Sequence, residues 1–321
     1  MSSDRLGSAL DALLGRPADE GITLAVVVLQ GGSIVAERYG VQPDTAFGSG
    51  GPVGPDTTLI SWSMAKSIVH AAVGLLVGDG RLDLDAPAAV PAWAGTDKSA
   101  ITLLDLLEMR PGLRFVEDYV DGEVSHCLAM LFGEGAADHA AYAAALPLDH
   151  PPGTVWNYSS GTTNIVARIL GDVVGGGREG MREFLRTRLF EPVGMPSAVA
   201  KFDPAGTWVG SSYVYATARE FARFGELYRN DGVAGGRRVL PAGWADHARV
   251  QVAFDDDSGC GYGRHWWIWP DLPGSVAAHG YEGQFTIVVP ERDAVVVHLG
   301  KTDAAARPQL VDRLRAVIAA V

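Results

Sequence analysis

Cysteine is nearly absent from this chain: Cys127 and Cys260 are the only two, far apart and in no metal-ligand or redox spacing. That excludes a disulfide framework and fits a reduced, cytoplasmic setting in which both are small buried apolar side chains. Lysine is almost as scarce, at Lys66, Lys98, Lys201 and Lys301. With a formal net charge of −12, the surface has no basic excess with which to neutralise phosphates, so nucleic acid is not an expected partner. Long apolar runs are missing too. Stretches such as Leu24 to Leu29 fall far short of the roughly 20 residues that span a bilayer, and Met1 to Arg16 lacks the basic start and apolar core of a secretory signal. Neither a membrane span nor export is expected. The eight histidines form no His-Glu-x-x-His or comparable spacing, so no metal and no cofactor are expected. No Gly-x-Ser-x-Gly elbow occurs, which removes the usual α/β-hydrolase reading.

What is present is an ordinary globular composition, 47% hydrophobic and 20% charged over 321 residues, enough for a sizeable core. Ile22 to Gln30 and Ser33 to Tyr39 are β-rich runs separated by Gly31-Gly32, the signature of a tight hairpin. A Gly- and Pro-rich connector, Ala46 to Pro55, follows, without the Lys-Ser or Lys-Thr of a phosphate cradle. Met64 to Val77 suits a helix apolar almost all round, and therefore buried. The middle of the chain reads as helical: Leu103 to Met109 after a Thr102 cap, Ala136 to Ala145, Thr163 to Val174 and Glu179 to Leu189. His265 to Trp269, Phe285 to Val289 and Ala294 to Leu299 read as strands, and Pro308 to Ala320 as a closing amphipathic helix. The expected fold is α/β of the α+β kind. An antiparallel sheet from residues 1–62 and 205–321 is flanked by helices, and a mostly helical domain, 63–204, is inserted between them, with a cleft where the two meet.

Ser63-Met64-Ala65-Lys66 stands at the start of the buried helix, where residues three apart share a face. Burial of an ammonium favours its neutral form, which is what a serine hydroxyl needs as a proton acceptor. The helix start also supplies free backbone N–H groups for a negative oxygen. The tetrapeptide alone fits a helix cap beside a snorkelling lysine equally well. In Trp156-Asn157-Tyr158-Ser159-Ser160-Gly161 a tyrosine sits in a tight loop ahead of a helix. A phenol can relay protons there if a positive neighbour such as Lys66 lowers its pKa; otherwise it anchors the loop. In Ala278-His279-Gly280-Tyr281 the glycine permits close backbone approach at a strand, and His279 is either a general base or a polar strand-end residue. The aromatic group His265-Trp266-Trp267-Ile268-Trp269 either walls a pocket or belongs to the core, and Asp255-Asp256-Asp257 reads as a solvated loop.

These three motifs, in this order, resemble the serine β-lactamase and penicillin-binding-protein superfamily, in particular its esterase, class C β-lactamase and 6-aminohexanoate-dimer hydrolase branch. The likeness runs from the first hairpin to the last helix and includes Thr102 to Met109 leading into Pro111-Gly112-Leu113, and Tyr262-Gly263 before Trp266-Trp267. It implies a β-lactamase/transpeptidase-like fold and a serine hydrolase acting through an acyl-enzyme on Ser63. Lys66 and Tyr158 would be the proton acceptors, the backbone N–H groups of Ser63 and Tyr281 the oxyanion hole, and Ser160, His279 and Gly280 the substrate-binding residues. The expected substrate is a small ester, amide or lactam. Ala278 stands where the family often carries a cation, which favours esters and linear amides over β-lactams and D-amino-acid peptides. Lys301-Thr302-Asp303 imitates the family's Lys-Thr-Gly but follows a strand and lacks the glycine. An acyltransferase and a noncatalytic binding protein of the same fold remain alternatives, and the oligomeric state is not legible.

Overall fold

The computed structural model describes residues 2–44, 49–118 and 124–321. The first helix, α1 (Ser2–Leu14), leads into strands β1 (Ile22–Gln30) and β2 (Ser33–Tyr39). Gly31 and Gly32 both have positive φ, 56° and 76°, the twist a two-residue hairpin turn requires. Of the connector expected over 46–55, residues 46–48 lie outside the described residues, while Gly51–Pro52 pairs with Val41–Gln42.

The chain returns to the sheet only after residue 250, adding β3 (Ala253–Asp255), β4 (Cys260–Tyr262), β5 (Trp267–Ile268), β6 (Val276–Gly280), β7 (Gln284–Val289) and β8 (Ala294–Lys301). The spatial order is β3-β4-β5-β6-β7-β8-β1-β2, antiparallel throughout. Strand β8 beside β1 therefore joins the two ends of the sequence in one sheet. The central strands are buried on both faces. Val26 and Val28 pack with Leu10 and Leu13 of α1 and with Leu310 and Leu314 of the last helix. Val27 and Leu29 face the larger core that holds the buried central helix. A strand covered on both sides reads as a continuous apolar run, which Leu24 to Leu29 is.

Between the two halves of the sheet lie α2 (Ala65–Gly78), α3 (Leu103–Leu107), α4 (Ser160–Val174) and α5 (Ala218–Arg229), and α6 (Arg307–Ala320) closes the chain. Every residue of α2 from Ala65 to Leu76 is buried, as its all-round apolar sequence requires. Thr102 caps α3 in a capping box with Asp105, and Ser159 caps α4 by accepting from the N–H of Thr162. Two expectations need correction. The strand expected over His265 to Trp269 is only Trp267–Ile268, because His265 has a φ of 60° and hydrogen-bonds Leu107 O and Thr163. The helix expected from Ala136 starts at His139, where Asp138 caps it. Among the described residues no helix is long and apolar enough to cross a membrane.

Candidate active site

Ser63 lies in the 3-10 turn Trp62–Met64 that leads directly into α2. Trp62, just before it, has a φ of 44°, a conformation a bulky residue holds only when its surroundings impose it. Those surroundings are visible: the Trp62 indole N–H donates to Glu282 at 3.3 Å, and its ring meets Tyr213 and Tyr281. The turn is thus clamped against the end of β6.

One helical turn on, Lys66 is buried, with 2% of its surface exposed. Its Nζ contacts three oxygens: Ser63 Oγ at 3.0 Å, Ser160 Oγ at 2.9 Å and the Ser211 carbonyl at 3.1 Å. Ser160 Oγ in turn donates to Glu117 Oε1 at 2.6 Å, and Ser160 N to Glu117 Oε2 at 2.7 Å. The Ser160 proton is therefore directed away from Lys66, leaving an oxygen that accepts. The Ser211 carbonyl also only accepts, whereas Ser63 is free to do either. An ammonium satisfies this set with three N–H donors; a neutral amine satisfies it with two N–H donors and a lone pair facing the Ser63 hydroxyl. No heavy atom has to move between the two states.

Tyr158 is placed by its neighbours in the loop before α4. Asn157 N donates to Met109 O at 2.8 Å and Asn157 Nδ2 to Phe115 O at 3.0 Å. The Tyr158 ring packs against Trp267 and edge-on against Tyr262, with Lys66 Nζ 4.8 Å from its centre. Burial pushes the phenol pKa up; the charge of Lys66 and hydrogen bonds with Ser63 and Lys66 pull it back without reversing the sign. The positive neighbour expected from the sequence is present, yet desolvation prevails, so at rest Tyr158 holds its proton and is a donor.

Ser63, Tyr158, His279, Gly280 and Tyr281 line one cleft of about 120 Å³, together with Glu117, Trp267 and Arg307. It adjoins a cavity of about 400 Å³ bordered by Asp255 and Asp257 of the acidic run. Cavities of about 260 Å³ near Trp208 and about 310 Å³ near Ala140 have linings that do not include Ser63. Gly280 ends β6 against the nucleophile turn; a Cβ there would lie 2.5 Å from Ser61 O.

The structure places the remaining candidate residues as follows. Ser160, expected to bind substrate, is 1% exposed and engaged by Lys66 and Glu117 instead. His279 cannot serve as a general base through Nε2, which accepts from the Trp269 indole N–H at 2.8 Å. An indole only donates, so the remaining proton of the neutral ring is on Nδ1, and burial drives the pKa well below the usual histidine value. Of the aromatic group, Trp266 and Trp269 are core residues and only Trp267 walls the cleft. Lys301 ends β8 in an ion pair with Glu282 at 3.6 Å. Two cleft residues had no sequence signal: Glu117, from the segment between α3 and the helix His126–Phe132, and Arg307, the first residue of α6.

This geometry invites comparison with known proteins. The sequence model of the Beta-lactamase family matches residues 11–320. The chain belongs to the beta-lactamase family. The chain is 30% identical over 320 residues to the 6-aminohexanoate-dimer hydrolase of Paenarthrobacter ureafaciens, covering 90% of this chain and 77% of that one. Among solved structures of the beta-lactamase fold, a family VIII carboxylesterase superposes with a TM-score of 0.76 at 17% identity, covering 100% of this chain and 98% of its own. A class C beta-lactamase in complex with cefoxitin gives 0.73 at 14% identity over 100% of both chains. At such identities the two structures establish the fold alone.

Proposed function

We propose that this chain is a serine hydrolase of small esters and linear amides, with Ser63 as nucleophile. The observation that carries the reading is the three-point seat of Lys66, which lets its amine receive the Ser63 proton with every other contact kept. Ser63 Oγ attacks the substrate carbonyl as Lys66 Nζ takes the hydroxyl proton. The carbonyl oxygen becomes negative between the backbone N–H groups of Ser63 and Tyr281, a reading supported by both residues lining the one cleft. Tyr158 gives its phenolic proton to the leaving group and is reprotonated from Lys66. Water then attacks the acyl-enzyme and returns Ser63 to its starting state. On this reading the helical segment 63–204 contributes Ser63, Lys66 and Tyr158, and the sheet segment contributes Gly280 and Tyr281.

The names of the similar proteins, an amide hydrolase, a carboxylesterase and a beta-lactamase, lend support to acyl transfer as the reaction class. The neutral Ala278 on β6 favours esters and linear amides within that class. The test is turnover of 4-nitrophenyl acetate: Ser63→Ala and Lys66→Ala should each lower kcat by roughly a thousandfold or more. Retention of wild-type turnover in either variant overturns the assignment.

A further inference from the structure

The two backbone N–H groups of the proposed oxyanion hole come from segments far apart in the sequence, Ser63 just ahead of α2 and Tyr281 between β6 and β7. Each has a strained neighbour. Trp62, immediately before Ser63, has a φ of 44°, and Glu282, immediately after Tyr281, has a φ of 58°. Both lie in the left-handed region, which residues with large side chains hold only where their surroundings impose it. These two strained residues are bonded to each other: the Trp62 indole N–H donates to Glu282 Oε2 at 3.3 Å. The Trp62 ring also meets Tyr281 edge-on, with centroids 5.7 Å apart.

Glu282 is itself held from behind. Its Oε1 faces Lys301 Nζ at 3.6 Å, and its carbonyl accepts from Thr302 N at 3.0 Å. The next residue, Gly283, has a φ of 78°, and a Cβ there would lie 2.5 Å from Leu310 Cδ2 of α6 and 3.2 Å from Thr302 Cβ. The turn Tyr281–Gly283 thus rests against the end of β8 and the closing helix. Lys301-Thr302, which in the sequence only imitates a family motif, has a task after all, that of backing Glu282. Neither Glu282 nor Trp62 lines the cleft that holds Ser63 and Tyr281, so the carboxylate acts on the site through the indole. A side-chain link from the residue before one N–H to the residue after the other constrains how the two donors stand, and such donors are effective only when aimed before the oxyanion forms. We infer that Glu282 is a positioning residue, whose hydrogen bond from the Trp62 indole sets the separation of the Ser63 and Tyr281 N–H groups; this deepens, and rests on, the reading of Ser63 as nucleophile.

The test is steady-state turnover of 4-nitrophenyl acetate by Glu282→Ala, by Trp62→Phe, which keeps a ring and loses the N–H, and by the double variant, with Ser63→Ala alongside. Each single variant should lower kcat roughly 10- to 100-fold, at or below the loss on deleting an oxyanion donor outright, with KM within about threefold of wild-type. Because both changes break one contact, the double variant should fall no further than the worse single one. Glu282→Gln, whose amide oxygen still accepts the indole N–H, should keep most of the rate. Wild-type kcat in either single variant, losses that multiply in the double variant, or a raised KM at constant kcat overturns the inference. So does a loss in Glu282→Gln equal to that in Glu282→Ala, which would trace the effect to the ion pair with Lys301. If Glu282→Ala fails to fold by circular dichroism, Trp62→Phe decides alone by the same kcat criterion. Turnover kept by Ser63→Ala removes the nucleophile reading and this one with it; turnover lost in Ser63→Ala but kept in Glu282→Ala removes this one only.

Discussion

Gly280 closes on Ser61 so tightly that any side chain would collide: a Cβ built on Gly280 lies 2.5 Å from the Ser61 carbonyl oxygen and 2.9 Å from Gln284 Cβ. The first of these atoms is backbone and cannot swing aside. Gly280→Ala must therefore separate β6 from the nucleophile turn. Displacements of about 1 Å at a reacting centre cost on the order of a hundredfold in rate, so kcat for 4-nitrophenyl acetate should fall by about that factor. Steady-state kinetics together with a melting curve checks it.

Tyr158 holds its proton at rest and is read as the donor to the leaving group. Nitrophenolate leaves readily without a proton, whereas an amine does not. Tyr158→Phe should therefore slow an anilide or alkyl amide by roughly a hundredfold or more, in the range of general-acid contributions, and a nitrophenyl ester much less. Comparing kcat on the two substrates decides it; equal losses would remove Tyr158 from that role.

Ser160 touches Lys66 and Glu117, away from the substrate space. Ser160→Ala removes one of the three oxygens that seat the Lys66 amine and one hydrogen bond to Glu117. The expected outcome is a fall in kcat of about tenfold, from one lost charge-assisted hydrogen bond, with KM nearly unchanged. A rise in KM at constant kcat would return Ser160 to substrate binding.

Burial lowers the pKa of three histidines far below the ordinary histidine value: His265 to about 4, His247 to about 4 and His298 to about 3. A folded pKa below the unfolded value means that the unfolded chain binds more protons in the interval between them. Stability is therefore fully present above about pH 6.5, the ordinary histidine value, and is lost as pH falls toward 4. The Tm should drop across that window, and His265→Gln should flatten the drop. A Tm constant from pH 7 to 4 would contradict this.

The fold was legible where physical constraints are local. Gly31-Gly32 announces the hairpin, Thr102 announces a helix start, and the all-round apolar sequence of α2 announces its burial, whereas the Ser159 cap that starts α4 three residues before the expected Thr163 was not read. Ser63 and Lys66 were legible as a pair because three-residue spacing on a helix is contact. Glu117 and Arg307 were not, because neither lies in a motif. They reach the cleft through the packing of a connecting segment and of the last helix, 54 and 244 residues from Ser63 in the sequence (117 − 63 and 307 − 63). His265 misled because its positive φ ends a strand that the aromatic run continues. The resting protonation of Tyr158 was likewise beyond the sequence, which shows Lys66 as a neighbour but not how far burial outweighs its charge.

The central claim is that Ser63 becomes acylated, and intact-mass spectrometry tests it most directly. Wild-type protein mixed with a panel of activated esters, linear amides and β-lactams, then quenched in acid, should carry the mass of one acyl group. Peptide mapping should place it on Ser63, and Ser63→Ala should carry none. An adduct on another residue, or turnover of these substrates by the Ser63→Ala variant at the wild-type rate, would contradict the account.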